Sequence, residues 1–222
     1  MKRYAILDNS ASRKEVGYYP QISSLPSNYL EAGERSIYKV PHSDFPEFTP
    51  DLSGLPLRKD AKLTDVISCA YISDGFLVNS RALEVFEEFK LPPYRLHPCT
   101  IVQNKLEYEY YWFHYLIDLT AYINFPLSDF YIGFDILSVE GPIAFQDYED
   151  FINKYEEYRV NGKPISARKI VWKKDFPELD LFTISKVDIR TFISPSLVNM
   201  LKKNRVSGIE ITEEPKSIEF VW

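Results

Sequence analysis

The chain has 222 residues, of which 45% are hydrophobic and 26% charged, a composition typical of a globular protein rather than a disordered one. Its formal net charge is −6, and this acidic balance argues against a protein that grips nucleic acid through a basic face. Aromatic residues make up 15% of the chain, and this excess of Tyr and Phe suits either a β-rich core or a protein-interaction surface.

No segment of the sequence indicates export or membrane insertion. The start, MKRYAILDNSASRKE, lacks an apolar core of about seven or more residues and so differs from a signal peptide. No run approaches the roughly 18 apolar residues of a membrane-spanning helix. Cys69 and Cys99 suit neither a disulfide framework nor a zinc site, because they form no CxxC pair. We therefore expect a cytoplasmic protein with reduced thiols, without a membrane partner, metal or cofactor.

The N-terminal third is predicted to be extended and rich in loops. Residues 4–7 (YAIL) form a short apolar run that ends at Asp8 and Asn9, as a first strand would. Prolines then interrupt any long helix or central strand, at Pro20, Pro26, Pro41, Pro46, Pro50 and Pro56. Aromatic side chains are expected to anchor this stretch on the core, so that it is not a flexible arm: Tyr18, Tyr19, Tyr29, Tyr38, Phe45 and Phe48. The chain thus divides into a proline-rich extended region at residues 1–73 and an α+β domain at residues 74–222, packed together as one compact unit.

The clearest local pattern is a strand followed by a capped helix. Residues 76–78 (FLV) are strand-like, and Asn79 behind them is a favourable helix N-cap. Apolar residues then recur at helical spacing, at Ala82, Leu83, Phe86 and Phe89. The helix is predicted to end before Pro92, because proline disfavours helical geometry in the residue that precedes it.

Extended segments occupy much of the remaining chain. Residues 106–119 (LEYEYYWFHYLIDL) begin with an alternation of period two among aromatic residues, which indicates a strand. Further strands are predicted at residues 66–71, 94–102, 130–139, 169–172 and 181–184. Residues 146–158 (QDYEDFINKYEEY) predict an amphipathic helix with Tyr148, Phe151, Ile152 and Tyr155 inward. The predicted fold class is α+β, with a mostly antiparallel sheet and a few short helices.

The strand–helix–strand pattern occurs a second time. Residues 78–96 align without a gap to residues 193–211, so that the N-cap Asn79 matches Ser194. The inward helix residues also match, Ala82 with Leu197, Leu83 with Val198 and Phe86 with Leu201. The match is one of physical type with few identities. It leaves open both a true repeat of two similar halves and the chance recurrence of a common motif.

Few residues have the types and spacing that catalysis needs. The three histidines, His42, His97 and His114, form no HExxH pair, and the eight glycines form no phosphate-binding loop. His97 and Cys99 lie on one face of a strand, but nothing in the sequence supplies an activated thiol or an oxyanion site. We predict that the protein is not an enzyme, with a Cys99–His97 site as the enzyme alternative.

Charge is distributed unevenly in the second half of the chain. Residues 140–158 carry six acidic residues and one lysine, whereas residues 159–174 carry six basic residues and no acidic one. The acidic, tyrosine-bearing segment is the predicted partner-binding surface, formed by Asp147, Tyr148, Glu149, Asp150, Tyr155, Glu156, Glu157 and Tyr158. The alternative is a solvated helix face beside a basic hairpin that neutralises it.

Several of these motifs resemble those of a bacterial polymorphic-toxin immunity-protein family that was first catalogued as a domain of unknown function. The likeness extends from Asp74 to the C-terminus, with Asn79 at a position where the family usually has Ser. It rests on residues 76–83 (FLVNSRAL), 91–94 (LPPY), 96–98 (LHP), 110–113 (YYWF), 192–197 (FISPSL) and 207–210 (SGIE).

The resemblance implies a non-catalytic cytoplasmic protein that binds a cognate secreted toxin and blocks its active site. It implies no catalytic residue, because the family motif carries none. The alternative from another class is a structural or adaptor protein that associates with copies of itself through the aromatic strand at residues 108–113.

Overall fold

A computed structural model describes residues 4–41, 44–133, 139–213 and 218–221. Within these residues the chain forms four α-helices, α1 (Arg13–Val16), α2 (Ser80–Glu87), α3 (Tyr148–Val160) and α4 (Pro195–Lys203). The described residues also form 13 strands: β1 (Ala5–Asn9), β2 (Leu52–Pro56), β3 (Val66–Ile67), β4 (Gly75–Val78), β5 (Tyr94–Gln103), β6 (Leu106–Tyr115), β7 (Asp129–Ile132), β8 (Gly141–Ile143), β9 (Ile165–Val171), β10 (Leu181–Ile184), β11 (Asp188–Ile193), β12 (Ile209–Thr212) and β13 (Glu219–Val221). His42 and residues 134–138 of one predicted strand lie outside the described residues.

The strands form three sheets in which antiparallel pairing prevails. Their strand orders are β10-β11-β1-β12, β13-β9-β7-β8 and β2-β5-β6-β4-β3. Parallel pairing joins β2 to β5 and β13 to β9. The α+β class with mostly antiparallel sheets and short helices is therefore confirmed.

The chain divides into two compact units. Unit 1 contains the described residues of Met1–Leu7, Ile117–Val198 and Ile211–Trp222, and unit 2 contains those of Asp8–Leu116 and Asn199–Glu210. The boundary predicted after residue 73 falls inside unit 2. There β2 and β3, from the N-terminal third, belong to one sheet with β4, β5 and β6. Backbone pairing between distant strands produces this division, and composition does not reveal such pairing.

Each unit has its own hydrophobic core. In unit 1, the rings of Phe125, Phe130 and Phe151 lie within one aromatic cluster, with Phe125 stacked on both others. In unit 2, the core contains residues that are at most 2% exposed: Ile22, Leu52, Leu55, Leu77, Ile101 and Trp112. Burial of each such large apolar side chain contributes about 1.5–3 kcal/mol.

The proline-rich stretch lies partly on the core of unit 2. Four of its six predicted anchors are at least partly buried: Tyr18, Tyr29, Phe45 and Phe48. Tyr19 and Tyr38 are 50% and 57% exposed, so their prediction as anchors is wrong. The stretch ends in β2, which lies at a sheet edge, where a strand tolerates the missing N–H of Pro56.

Both strand–helix–strand segments form, and their sheets share one strand order. In one, α2 connects β4 to β5 and β6 lies between them; in the other, α4 connects β11 to β12 and β1 lies between them. The Asn79 side chain accepts a hydrogen bond from the backbone N–H of Ala82 at 3.0 Å. The Ser194 hydroxyl accepts one from the N–H of Leu197 at 3.2 Å. The predicted repetition is thus present in the elements, in the helix caps and in the strand order.

A long hairpin of β5 and β6 forms the centre of unit 2. The pairing runs from Tyr94 opposite Tyr115 to Gln103 opposite Leu106. The turn residues Asn104 and Lys105 have φ of 53° and 66°, the left-handed conformations of a type I′ hairpin turn. The hairpin confirms both predicted strands.

Candidate functional site

Helix α3 carries the predicted partner-binding residues and separates them into two groups. Asp147 caps the helix, because its carboxylate accepts a hydrogen bond from the backbone N–H of Asp150 at 2.9 Å. Phe151 is fully buried. The three tyrosines of the predicted partner-binding surface pack against the core of unit 1: Tyr148, Tyr155 and Tyr158. Residues three or four apart share one helix face, so these rings hold α3 against its own unit.

The acidic residues of α3 lie mainly on its exposed side. Asp150 forms an ion pair with Lys154, with 3.0 Å between Nζ and Oδ1. The backbone N–H of Gln146 and the Lys154 ammonium hold the pKa of Asp150 below its ordinary value. Glu149 and Glu157 are exposed, and within the described part of the chain their carboxylates have no ion-pair partner. The predicted surface therefore separates into exposed carboxylates and half-buried rings.

The basic residues of the segment 159–174 compensate little of the negative charge on α3. Arg159 pairs with Glu156, with 2.7 Å between Nη2 and Oε2. Lys163 pairs instead with Glu140, which precedes the helix. Lys173 donates a hydrogen bond to a backbone carbonyl. Among the described residues, Arg159 alone of these basic side chains forms an ion pair with an acidic residue of α3, and it lies within the helix itself.

A buried pair of histidines lies on the β5–β6 hairpin in unit 2. His97 Nε2 and His114 Nδ1 are 3.4 Å apart, and the two residues are 4% and 1% exposed. The Trp112 ring stacks on His114 with centroids 4.1 Å apart, and Phe45 meets His114 edge-on at 5.1 Å. Aromatic rings therefore enclose the pair.

Burial sets the protonation states of this region. Burial, followed by the charge of Arg95, lowers the pKa of His97. Burial also lowers the pKa of His114 to about 4, with His97 and Arg95 adding to the effect. Burial raises the pKa of the Cys99 thiol, and it raises the pKa of the Cys69 thiol to about 11. Both rings and both thiols are therefore neutral near pH 7, and Cys99 is not an activated nucleophile beside His97.

A cavity of about 310 Å³ lies beside His114 in unit 2. Tyr38, Tyr71, Asp74 and Trp112 are among its lining residues, and they come from three separate stretches of chain. The sequence pattern indicated Tyr38 only as a core anchor and singled out neither Tyr71 nor Asp74. No local signal could have found this group, because residues so distant in sequence meet only in the folded unit.

Neither a scan of protein-family models nor a search of curated proteins finds a match to this chain. The resemblance to the immunity-protein family therefore stays a prediction that rests on the residues quoted for it. Among the described residues, no group of three or more His, Cys, Asp or Glu side chains is placed to hold a metal ion. The described helices are all too short or too polar to cross a bilayer.

Proposed function

We propose that the chain is an immunity protein, which binds a cognate toxin in a stoichiometric complex and blocks the toxin's active site. The observation that carries the proposal is the exposed acidic side of α3, where Glu149 and Glu157 have no ion-pair partner among the described residues. The resemblance of residues 76–98 to the immunity-protein family supports the same function.

A rigid acidic helix face suits a partner with a basic active site. Phe151 and the half-buried Tyr155 hold α3 in place, so binding through this face needs no further ordering of the helix backbone. Charges at the edge of an interface act mainly on the association rate, through long-range attraction between oppositely charged surfaces. A complex of this type forms quickly at low salt and more slowly as salt screens the charges.

The function is tested by co-expression with the toxin encoded beside the gene for this chain. Cells that produce both proteins should grow, and purified toxin and chain should form a one-to-one complex. Continued killing in the presence of folded chain contradicts the proposal.

The role of α3 is tested by charge reversal. The double variant Glu149→Lys/Glu157→Lys leaves both ion pairs within the helix intact and should lower the association rate about tenfold at low salt. The matched control is Glu84→Lys/Glu88→Lys, which changes two exposed carboxylates at or beside α2 by the same charge. Equal association rates for the two double variants remove α3 from the interface.

The self-association alternative receives less support from the strand order. β6, which contains residues 108–113, is bonded to β5 on one side and β4 on the other. The backbone of residues 111–113 is therefore paired on both sides and cannot add a strand from a second copy, whereas residues 108–110 pair with β5 alone. A monomer at high concentration in light scattering is the expected result.

A further inference from the structure

We propose that the cavity beside His114 in unit 2 binds an organic cation, a guanidinium or alkylammonium group, against the rings of Tyr38 and Tyr71, with Asp74 as the counter-charge. The site is separate from the acidic side of α3 and does not depend on the proposed function.

Aromatic rings form much of the cavity wall. The rings of Tyr38 and Tyr71 meet edge-on, with centroids 6.2 Å apart and an interplanar angle of 81°. Trp112 also lines the cavity, but it is 2% exposed and its ring stacks on His114, so the accessible aromatic surface comes from Tyr38 and Tyr71. The faces of Trp and Tyr rings attract cations through their quadrupole, and rings set at an angle around one space form an aromatic cage. The volume of about 310 Å³ is at the small end for ligand pockets and suits a single cationic group.

Hydrogen bonds fix the backbone at Tyr38 and the hydroxyl of Tyr71 without a ligand. Tyr38 lies in a 3₁₀ turn, and its backbone N–H donates to the Ser36 hydroxyl at 3.3 Å. The backbone N–H of Ile37 in the same turn donates to the Tyr29 hydroxyl at 2.6 Å. The Tyr71 hydroxyl donates to the Ser23 carbonyl at 3.3 Å. Binding therefore requires little further ordering of the backbone around the two tyrosines.

The charges around the cavity favour a cation. Asp74 is the one lining residue, among those the structure describes, that is charged near pH 7, because His114 is neutral there. Arg95 adds positive charge nearby, but it does not line the cavity, and its guanidinium is engaged by the Phe45 ring and a backbone carbonyl.

Backbone geometry keeps Asp74 at this position. Asp74 has φ of 51°, and the following Gly75 has φ of 144°. A Cβ on Gly75 would lie 2.1 Å from the carbonyl oxygen of Phe113, so only glycine allows this close approach to β6. Since Asn adopts the left-handed region as readily as Asp, Asp74→Asn removes the charge without disturbing the turn.

The proposal is tested by nuclear magnetic resonance titration of the full chain. The probes are choline, arginine methyl ester and a capped Gly-Arg-Gly peptide, with 3,3-dimethylbutan-1-ol as the neutral analogue of choline. The amide signals of Tyr38, Tyr71 and Asp74 should shift and saturate with a cation. Tyr38→Ala and Asp74→Asn should each weaken binding about two- to fivefold. Tyr38→Phe keeps the ring and Asp60→Asn changes an exposed aspartate outside the cavity, so both should bind like the unchanged chain.

The titration also distinguishes two possible sources of the cation, an arginine side chain of a protein and a small free cation. Tighter binding of the peptide than of the free cations identifies an arginine side chain of a protein, and the reverse order identifies a small free cation. Binding of the neutral alcohol as strong as that of choline overturns the proposal. So does the lack of any saturable shift with all three cations up to about 10 mM.

Discussion

The two strand–helix–strand segments reach the same strand order by different routes. In the first, β6 follows β5 through the turn at Asn104 and Lys105, so the central strand adjoins the segment in sequence. In the second, the central strand is β1, from the opposite end of the chain. The first arrangement needs only a tight hairpin, whereas the second requires the closure of a long loop.

The segments also differ after their helices. The first helix ends at Glu87, and the chain then reaches β5 through Pro92 and Pro93, whose rings fix the backbone locally. The chain after α4 instead turns at Arg205 and Gly208, with φ of 51° and 83°. There the backbone carbonyl of Ser207 accepts a hydrogen bond from the N–H of Val66 at 3.0 Å. One motif can therefore be completed by local residues or by contacts with distant ones.

The largest effect is expected at the turn after α4. A Cβ at Gly208 would lie 1.9 Å from the Val66 carbonyl oxygen, in a backbone conformation that side chains rarely adopt. Gly208→Ala should lower the free energy of unfolding by about 3 kcal/mol, through strain and the forced separation from β3. The matching substitution Pro93→Ala changes an exposed residue and should alter the free energy of unfolding by no more than about 0.5 kcal/mol. Urea denaturation measures both, and equal losses would show that the two turns do not differ.

The next effect concerns Asp65 in unit 2. Its carboxylate accepts hydrogen bonds from Asn79, from Arg81 and from the backbone N–H of Ser207, the last at 2.7 Å. Burial opposes ionisation of Asp65, but these donors outweigh it and lower its pKa to about 2. Because the folded-state pKa is depressed, the stabilisation is complete above about pH 4 and is lost as the pH falls through 2.

Asp65→Asn tests this network. The substitution should lower the free energy of unfolding by about 2 kcal/mol at pH 7, where the carboxylate is ionised in the folded chain. The difference from the unchanged chain should shrink between about pH 4 and pH 2. Denaturation curves across this range provide the measurement, and a difference that does not vary with pH would contradict the assignment.

Effects of the same size or smaller are expected at the two helix caps. Ser194→Ala removes the hydroxyl that caps α4 and should cost about 1 kcal/mol. Asn79→Ala removes the cap of α2 together with a hydrogen bond to Asp65 and should cost about 2 kcal/mol. Thermal denaturation compares the pair, and a larger loss at Ser194 would reverse the expected order.

The smallest effect is expected in the hairpin turn. Lys105 has φ of 66°, a conformation that glycine adopts without strain. Lys105→Gly creates an Asn-Gly type I′ turn and should raise the free energy of unfolding by about 0.5 kcal/mol. A lower melting temperature for this variant would show that the turn gains nothing from glycine.

Much of the fold could be predicted because its patterns are local. The alternation before Trp112 predicts β6, and Asn79 before a helical repeat predicts α2. The division into units could not be predicted, because β2 lies in a proline-rich stretch without periodicity yet pairs with β5. Tyr19 and Tyr38 show the same limit, since their ring size suggests an anchor but does not decide burial.

The candidate site was predicted only in part. The acidic content and the inward rings of α3 follow from its sequence, including the half-buried positions of Tyr148 and Tyr155. Which carboxylates remain without ion-pair partners follows from side-chain contacts, such as that between Lys154 and Asp150. Spacing alone permits several such pairings and does not choose among them.

The sequence by itself determined the elements of each strand–helix–strand segment, because caps, turns and periodicity act over a few residues. Only the tertiary structure decided that β1 completes the second segment and that Tyr38, Tyr71 and Asp74 line one cavity. Contacts between distant residues depend on the entropy of closing long loops and on packing against a whole unit. No local pattern records either quantity.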